Sequence, residues 1–254
     1  MPESPWAFLD HPGPLAYAHR GGAGEWPENT LPAFENAVSL GYRYVETDVH
    51  ATADGVLVAF HDRSLDRVTD RSGAIADLPW SYVAEARVDG REPIPLLADL
   101  LGTWPHLRFN LDAKDDRAVG PLAEVVRRTA SLDRVCVGSF SDRRVAEVRR
   151  RLPGVCTSSG PLGVGLLWLA SLGIPLGAGA AACAQVPVRE GPVPVTTGRF
   201  VEAAHRRGLQ VHVWTVDDPA EMNRLLDLGV DGVMTDLPGV LKDVLVQRGE
   251  WAGG

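Results

Sequence analysis

The sequence predicts an α/β fold: a (β/α)8, or TIM, barrel in a single domain over residues 1–254, with a small insertion between strand 2 and helix 2. Three observations predict it. Short apolar runs of strand length alternate with amphipathic stretches of helix length, as in a parallel sheet joined by crossover helices. Eight such runs occur, the number that closes a barrel. The length of 254 residues suits one barrel and can bury a core without disulfides or a structural metal.

Taken in order, the first strand is expected over Leu15 to His19 and the second over Tyr42 to Val49. Between them, Thr30 is placed to cap a helix from Leu31 to Leu40 that Gly41 stops. From His50 to Pro95 the chain departs from the alternation for longer than an ordinary strand-to-helix loop. This excursion, residues 50–95, opens with the hairpin signal Asp54-Gly55. Val56 to Phe60 then reads as a return strand delivering His61 and Asp62. A small subdomain capping the barrel mouth is expected there. The other strands are expected at Leu107 to Ala113, Val135 to Phe140, Gly154 to Ser158, Ala181 to Val186, Gln210 to Thr215 and Gly232 to Thr235. Asp218 with Pro219 opens the helix before the last of these, and Gly229 stops it.

Composition narrows the function. A formal net charge of -8 argues against a chain whose main task is gripping nucleic acid or an anionic membrane. An acidic pocket suits a metal cation instead. Cys136, Cys156 and Cys183 lie far apart in apolar runs, so buried free thiols are expected rather than bridges. The first residues lack the charged start and apolar middle of a secretory signal, and a cytoplasmic protein is expected. No charged residue occurs between Arg151 and Arg189, yet the Gly and Pro residues recurring there favour buried barrel elements over a membrane span.

Strand periodicity puts Glu46 and Asp48 on one face and Val45, Thr47 and Val49 on the other. Two carboxylates inside a barrel are costly unless a cation or a basic partner neutralises them. A hard divalent ion would do so, as would Arg20 or Arg43 as structural partners. Asn110, Asp112 and Lys114 share a second such face, so Asp112 can complete a three-carboxylate set and Lys114 can reach a phosphate oxygen. The bland alternative for Lys114 is a surface salt bridge with Asp115 or Asp116. His19 ends the first strand and His61 ends the hairpin return, where two imidazoles can supply a base and an acid. Packed or solvated roles are expected for His11, His50, His106, His205 and His212. Trp214, at a strand end facing the mouth, is a candidate to pack against substrate carbons.

These segments together resemble the glycerophosphodiester phosphodiesterase family, of the phosphatidylinositol-phospholipase-C-like superfamily. The resemblance rests on His19-Arg20-Gly21, Pro27-Glu28-Asn29-Thr30, Glu46-Thr47-Asp48-Val49, Phe60-His61-Asp62 and Leu65-Asp66-Arg67. Later segments also match, among them Asn110 to Lys114, Val213-Trp214-Thr215 and Asp231 to Pro238, whereas the match is weak from Ser139 to Val211. The resemblance implies that Glu46, Asp48 and Asp112 bind one divalent cation, Mg2+ or Ca2+ with Mn2+ as an option. It implies His19 and His61 as the acid/base pair, Arg20 on the phosphate, and Asn29 and Lys114 in support. Asp112 departs from the family's usual Glu, a carboxylate one methylene longer. The implied substrate is a small glycerophosphodiester, with no nucleic-acid partner. The rival readings are a lysophospholipase D or phospholipase C-like activity and a binding-only barrel. For a lipid substrate Trp6, Trp26, Trp80 and Leu162 to Leu172 are the candidates to line an apolar groove.

Overall fold

The computed structural model describes residues 5–175 and 179–253. Eight parallel strands form the barrel: β1 (Leu15–Ala18), β2 (Tyr44–Ala51), β3 (Arg108–Ala113), β4 (Val135–Gly138), β5 (Cys156–Thr157), β6 (Cys183–Pro187), β7 (Gln210–Trp214) and β8 (Gly232–Thr235). They pair in the order β5-β4-β3-β2-β1-β8-β7-β6. A parallel bridge between Ser158 and Cys183 joins the two ends of that series and closes the ring.

A helix follows each strand: α1 (Leu31–Ser39), α2 (Leu97–Thr103), α3 (Val119–Arg128), α4 (Asp142–Arg151), α5 (Pro161–Ser171), α6 (Gly198–His205), α7 (Pro219–Asp227) and α8 (Pro238–Gln247). Odd-numbered residues of β2 and β3, such as Val45, Val49 and Leu111, join helix residues such as Leu100, Leu101 and Leu122 in the main core. Each fully buried Leu, Val or Phe there contributes about 2 kcal/mol of apolar transfer. A second cluster plugs the floor, where Phe8 and Leu9 pack on Tyr17 and Tyr44 from inside the barrel.

The expected strands are all present; the last keeps its expected bounds, Gly232–Thr235, and the others have shifted ends. His19 lies outside β1, because Arg20 (φ 51) and Gly21 (φ 82) turn the chain into one tight helical turn. A Cβ on Gly21 would stand 2.8 Å from Ala33 Cβ, so only glycine fits that crossing. The second strand begins at Tyr44 rather than Tyr42 and runs on to Ala51, since it gains an antiparallel partner, Leu57–Ala59. The fourth ends at Gly138, freeing Ser139 and Phe140 for the barrel mouth. The fifth shrinks to Cys156–Thr157, the sixth begins at Cys183, and the seventh ends at Trp214.

Asp218 caps α7 as expected, accepting from the Ala220 amide at 3.3 Å. Thr30 does not cap α1: its hydroxyl donates to the Pro27 carbonyl at 2.7 Å instead. Residues 50–95 carry a core of their own, built on Val58, Phe60, Leu65, Ile75, Val83 and Ile94. No helix among the described residues is long and apolar enough to cross a membrane. Of the apolar stretch Leu162 to Ala184, residues 176–178 lie outside the described residues.

Candidate active site

The chemistry-bearing side chains meet at the carboxyl ends of the strands, around a cavity of about 670 Å3. Register explains the meeting. Glu46 lies opposite Asn110 and Asp48 opposite Asp112, so strand alternation sends all four side chains into the barrel at two adjacent levels. One level is tied across the barrel by Gln185 Nε2, which donates to Asn110 Oδ1 at 2.8 Å.

Positive charge reaches the carboxylates from two sides. Lys114 Nζ stands 2.7 Å from Asp48 Oδ1 and 2.8 Å from Asp112 Oδ2, rather than pairing with Asp115 or Asp116 on the surface. Arg20 Nε is 3.1 Å from Asp48 Oδ2, and the Arg20 amide donates to Glu46 Oε2 at 3.1 Å. Asn29, itself at φ 58, bridges β2 by donating to Asp48 Oδ2 and accepting from the Thr47 hydroxyl. Two left-handed non-glycine residues, Arg20 and Asn29, thus flank the site, a strain that the surrounding hydrogen bonds hold.

These contacts sort the acids. Burial and the charge of Asp48 push Glu46 up to about 7. Burial would also raise Asp48, but Lys114 and Arg20 outweigh it and hold that carboxyl below its ordinary value. Asp112 is raised by burial, which its single contact with Lys114 does not overcome. Burial pulls Lys114 down, and the Asp48 and Asp112 carboxylates more than restore it, leaving it above its ordinary value.

Each catalytic candidate imidazole has an aspartate on Nδ1. His19 Nδ1 donates to Asp236 Oδ1 at 2.6 Å, and His61 Nδ1 donates to Asp62 Oδ1 at 2.6 Å. That fixes the tautomer and leaves Nε2 as the working nitrogen in both rings. His19 Nε2 stands 3.7 Å from Glu46 Oε2; burial alone would lower its pKa, but Glu46 and Asp236 raise it overall. Arg67 grips Asp62 (Nε to Oδ2, 2.5 Å) and Glu28 (NH2 to Oε1, 2.6 Å), tying the His61 loop to the α1 approach. His50, for which a packed or solvated role is expected, is buried, and its Nε2 lies 3.0 Å from the His61 carbonyl.

Among the described residues, no group of three His, Cys, Asp or Glu side chains is arranged to hold a metal ion; Lys114 lies between Asp48 and Asp112. Among the described residues, Asp112 Oδ1 in this cluster is a buried side-chain oxygen without a hydrogen-bond partner, and Arg20 Nε meets Asp48 as an ion pair. An orphan acceptor among hard carboxylate oxygens fits a hard cation.

All nine expected residues border the cavity or touch one that does: His19, Arg20, Glu46, Asp48, His61, Asp112, Lys114 and Trp214 line it, and Asn29 bonds to Asp48. Trp214 meets Phe140 edge to face at 5.6 Å. Phe140, Val164, Trp168 and Val193 add apolar lining to the cavity, with the Phe140 ring centroid 5.9 Å from Lys114 Nζ. Of the proposed groove residues only α5 reaches that lining. Trp6 packs on the floor cluster, Trp80 on the core of residues 50–95, and Trp26 is exposed. Sequence reasoning assigned no role to Asp62 or Asp236. The signal for each was its place, directly after a catalytic-candidate histidine and just past a barrel strand.

The model of the glycerophosphoryl diester phosphodiesterase family matches residues 19–240. Over 97% of this chain and 96% of its own length, Mycobacterium tuberculosis "Probable glycerophosphodiester phosphodiesterase 2" is 44% identical. Human lysophospholipase D GDPD1 is 27% identical, with 90% of this chain and 85% of its own length covered. The crystal structure of a glycerophosphodiester phosphodiesterase from Parabacteroides distasonis superposes with a TM-score of 0.75 at 25% identity, covering 92% of this chain and 98% of that one.

Proposed function

From the membership of this chain in the glycerophosphoryl diester phosphodiesterase family, we propose that it hydrolyses small glycerophosphodiesters, such as glycerophosphocholine or glycerophosphoethanolamine, to sn-glycerol 3-phosphate and an alcohol. One observation carries the chemistry: two imidazoles, each anchored at Nδ1 by an aspartate, border one cavity that also holds Glu46, Asp48, Asp112, Arg20 and Lys114. Phosphodiester cleavage needs a base at the attacking hydroxyl and an acid at the departing oxygen. His19 and His61 serve as that pair, each through Nε2. Arg20, paired through Nε with Asp48, turns its guanidinium to the phosphate and compensates the charge that builds there.

Glu46, Asp48 and Asp112 are the residues that would hold a divalent cation, Mg2+ or Ca2+ with Mn2+ as a third option. Such an ion would polarise a non-bridging phosphate oxygen. Lys114, which now neutralises Asp48 and Asp112, would then turn to the phosphate. Asn29 keeps Asp48 aimed inward, and Trp214 packs against the glycerol carbons.

The test is release of sn-glycerol 3-phosphate from glycerophosphocholine by metal-stripped protein, with each cation added back, beside His19→Ala and Glu46→Ala. Metal-restored release that both substitutions abolish supports the assignment. A folded protein inactive with every cation refutes it.

A further inference from the structure

The phosphate-side arginine and the second imidazole come from separate parts of the chain: Arg20 lies in the turn after β1, and His61 lies in the insertion of residues 50–95. One acid touches a cation from each. Glu28 Oε2 accepts from Arg20 NH1 at 3.4 Å and from Arg67 NH1 at 3.0 Å, and its Oε1 accepts from Arg67 NH2 at 2.6 Å. Arg67 passes the constraint on. It donates to Asp62 through Nε at 2.5 Å and NH2 at 3.0 Å, and Asp62 holds His61 Nδ1 at 2.6 Å. The backbone sets Glu28 in place, because the next residue, Asn29, donates its amide to the Arg20 carbonyl at 2.9 Å. The Glu28 side chain is 14% exposed against 48% for Arg67, so the acid is the covered centre of this chain of contacts.

We propose that Glu28 is a positioning residue that holds the Arg20 guanidinium and the His61 imidazole at a fixed separation, so that the insertion helps set the geometry of the site. The inference rests on the phosphodiesterase reading above and goes beyond it, since Glu28 does not itself line the cavity. With Nε on Asp48 at 3.1 Å and NH1 on Glu28, the Arg20 guanidinium is held at two of its three nitrogens. Its plane is then fixed, and NH2 is the edge that neither acid holds. On the other side, the Arg67 fork pairs with two carboxylates through charge-assisted bonds, which fix angle as well as distance. A displacement of about 1 Å at reacting groups costs on the order of 100-fold in rate. Electrostatics alone has the opposite sign. Glu28 is a negative charge beside an anion site, so its removal tightens an anionic ligand unless the acid is needed to aim the arginine.

The experiment uses the full chain with Mg2+ and compares it with Glu28→Gln, Arg67→Ala, the double variant and Glu85→Gln. The last breaks a like ion pair of the insertion, Arg71 NH2 to Glu85 Oε2 at 2.6 Å, outside this chain of contacts. Calorimetry with inorganic phosphate reads the Arg20 side, glycerophosphocholine turnover reads both sides, and urea unfolding checks the fold. In Glu28→Gln the expected result is phosphate binding weakened about tenfold and kcat/KM lowered about 100-fold. Arg67→Ala acts through Asp62 and His61, so kcat falls about tenfold while phosphate binding stays within about threefold. The double variant falls no further than Glu28→Gln, and Glu85→Gln matches the natural chain. The inference is overturned if folded Glu28→Gln binds phosphate as tightly as the natural chain or more tightly, if the two losses multiply in the double variant, or if Glu85→Gln loses as much as Glu28→Gln. Should Glu28→Gln not fold, Arg67→Ala decides, and an unchanged kcat overturns the inference. Absence of glycerophosphocholine turnover in the natural chain would instead defeat the functional reading, and the sign of the change in phosphate binding would still decide the role of Glu28.

Discussion

Replacing Asp236 by Asn tests whether the aspartate–histidine pair drives the site. The substitution keeps the shape of the side chain and both backbone contacts, Gly24 N to Asp236 O at 2.9 Å and Asp236 N to Asp217 Oδ1 at 2.8 Å. It removes only the negative charge 2.6 Å from His19 Nδ1. A hydrogen bond to a charged group contributes about 1.5–3 kcal/mol. If that support is felt mainly in the transition state, kcat/KM falls by roughly 10- to 150-fold. A second readout separates this from a folding defect. Asp236 raises the His19 pKa, so Asp236→Asn moves the limb of the kcat/KM profile governed by His19 to lower pH. The assay is glycerophosphocholine turnover from pH 5 to 9, with urea unfolding as the control. A folded variant with kcat/KM within about twofold of the original and an unmoved limb would refute the reasoning.

Three further outcomes are expected. Gly21→Ala places a Cβ 2.8 Å from Ala33 in a backbone at φ 82, and urea unfolding should show a loss of about 2 kcal/mol or more. Asn29→Ala leaves Thr47 and Asp48 without their shared partner; steady-state kinetics should show at least a tenfold loss of kcat against about 1–2 kcal/mol of stability. Hydrogen bonds from Arg67, then His61, hold Asp62 down to about 2 in the folded chain, so its contribution is present above pH 3.8 and is lost as pH falls from there through 2. The full shift is worth roughly 2.5 kcal/mol, which partial exposure reduces to about 1, and Arg67→Ala should flatten that part of a urea-midpoint series between pH 2 and 6.

Local physics made much of the molecule legible in one dimension. Alternation of period two placed Glu46, Asp48, Asn110 and Asp112 on inward faces, and the register of β2 on β3 brings those faces together. Strand count and helix punctuation gave the barrel, because each signal lies within a few residues of what it describes. Strand ends were less legible where a remote segment intervenes. Ala51 joins β2 only because Leu57–Ala59 folds back on it, and Thr30 fails to cap because the Pro27 carbonyl competes for its hydroxyl.

Composition and order along the chain therefore determined the fold class, the family, and the residue types gathered at the strand ends. Tertiary structure alone decided which partner each of them takes. Asp236 reaches His19 across 217 positions, Lys114 abandons its neighbours Asp115 and Asp116 for Asp48 and Asp112, and α5 turns one apolar side to the cavity and the other to solvent. The reason is physical: hydrophobic periodicity is a local property of a segment, whereas hydrogen-bond partners and exposure depend on which segments the closed barrel sets side by side.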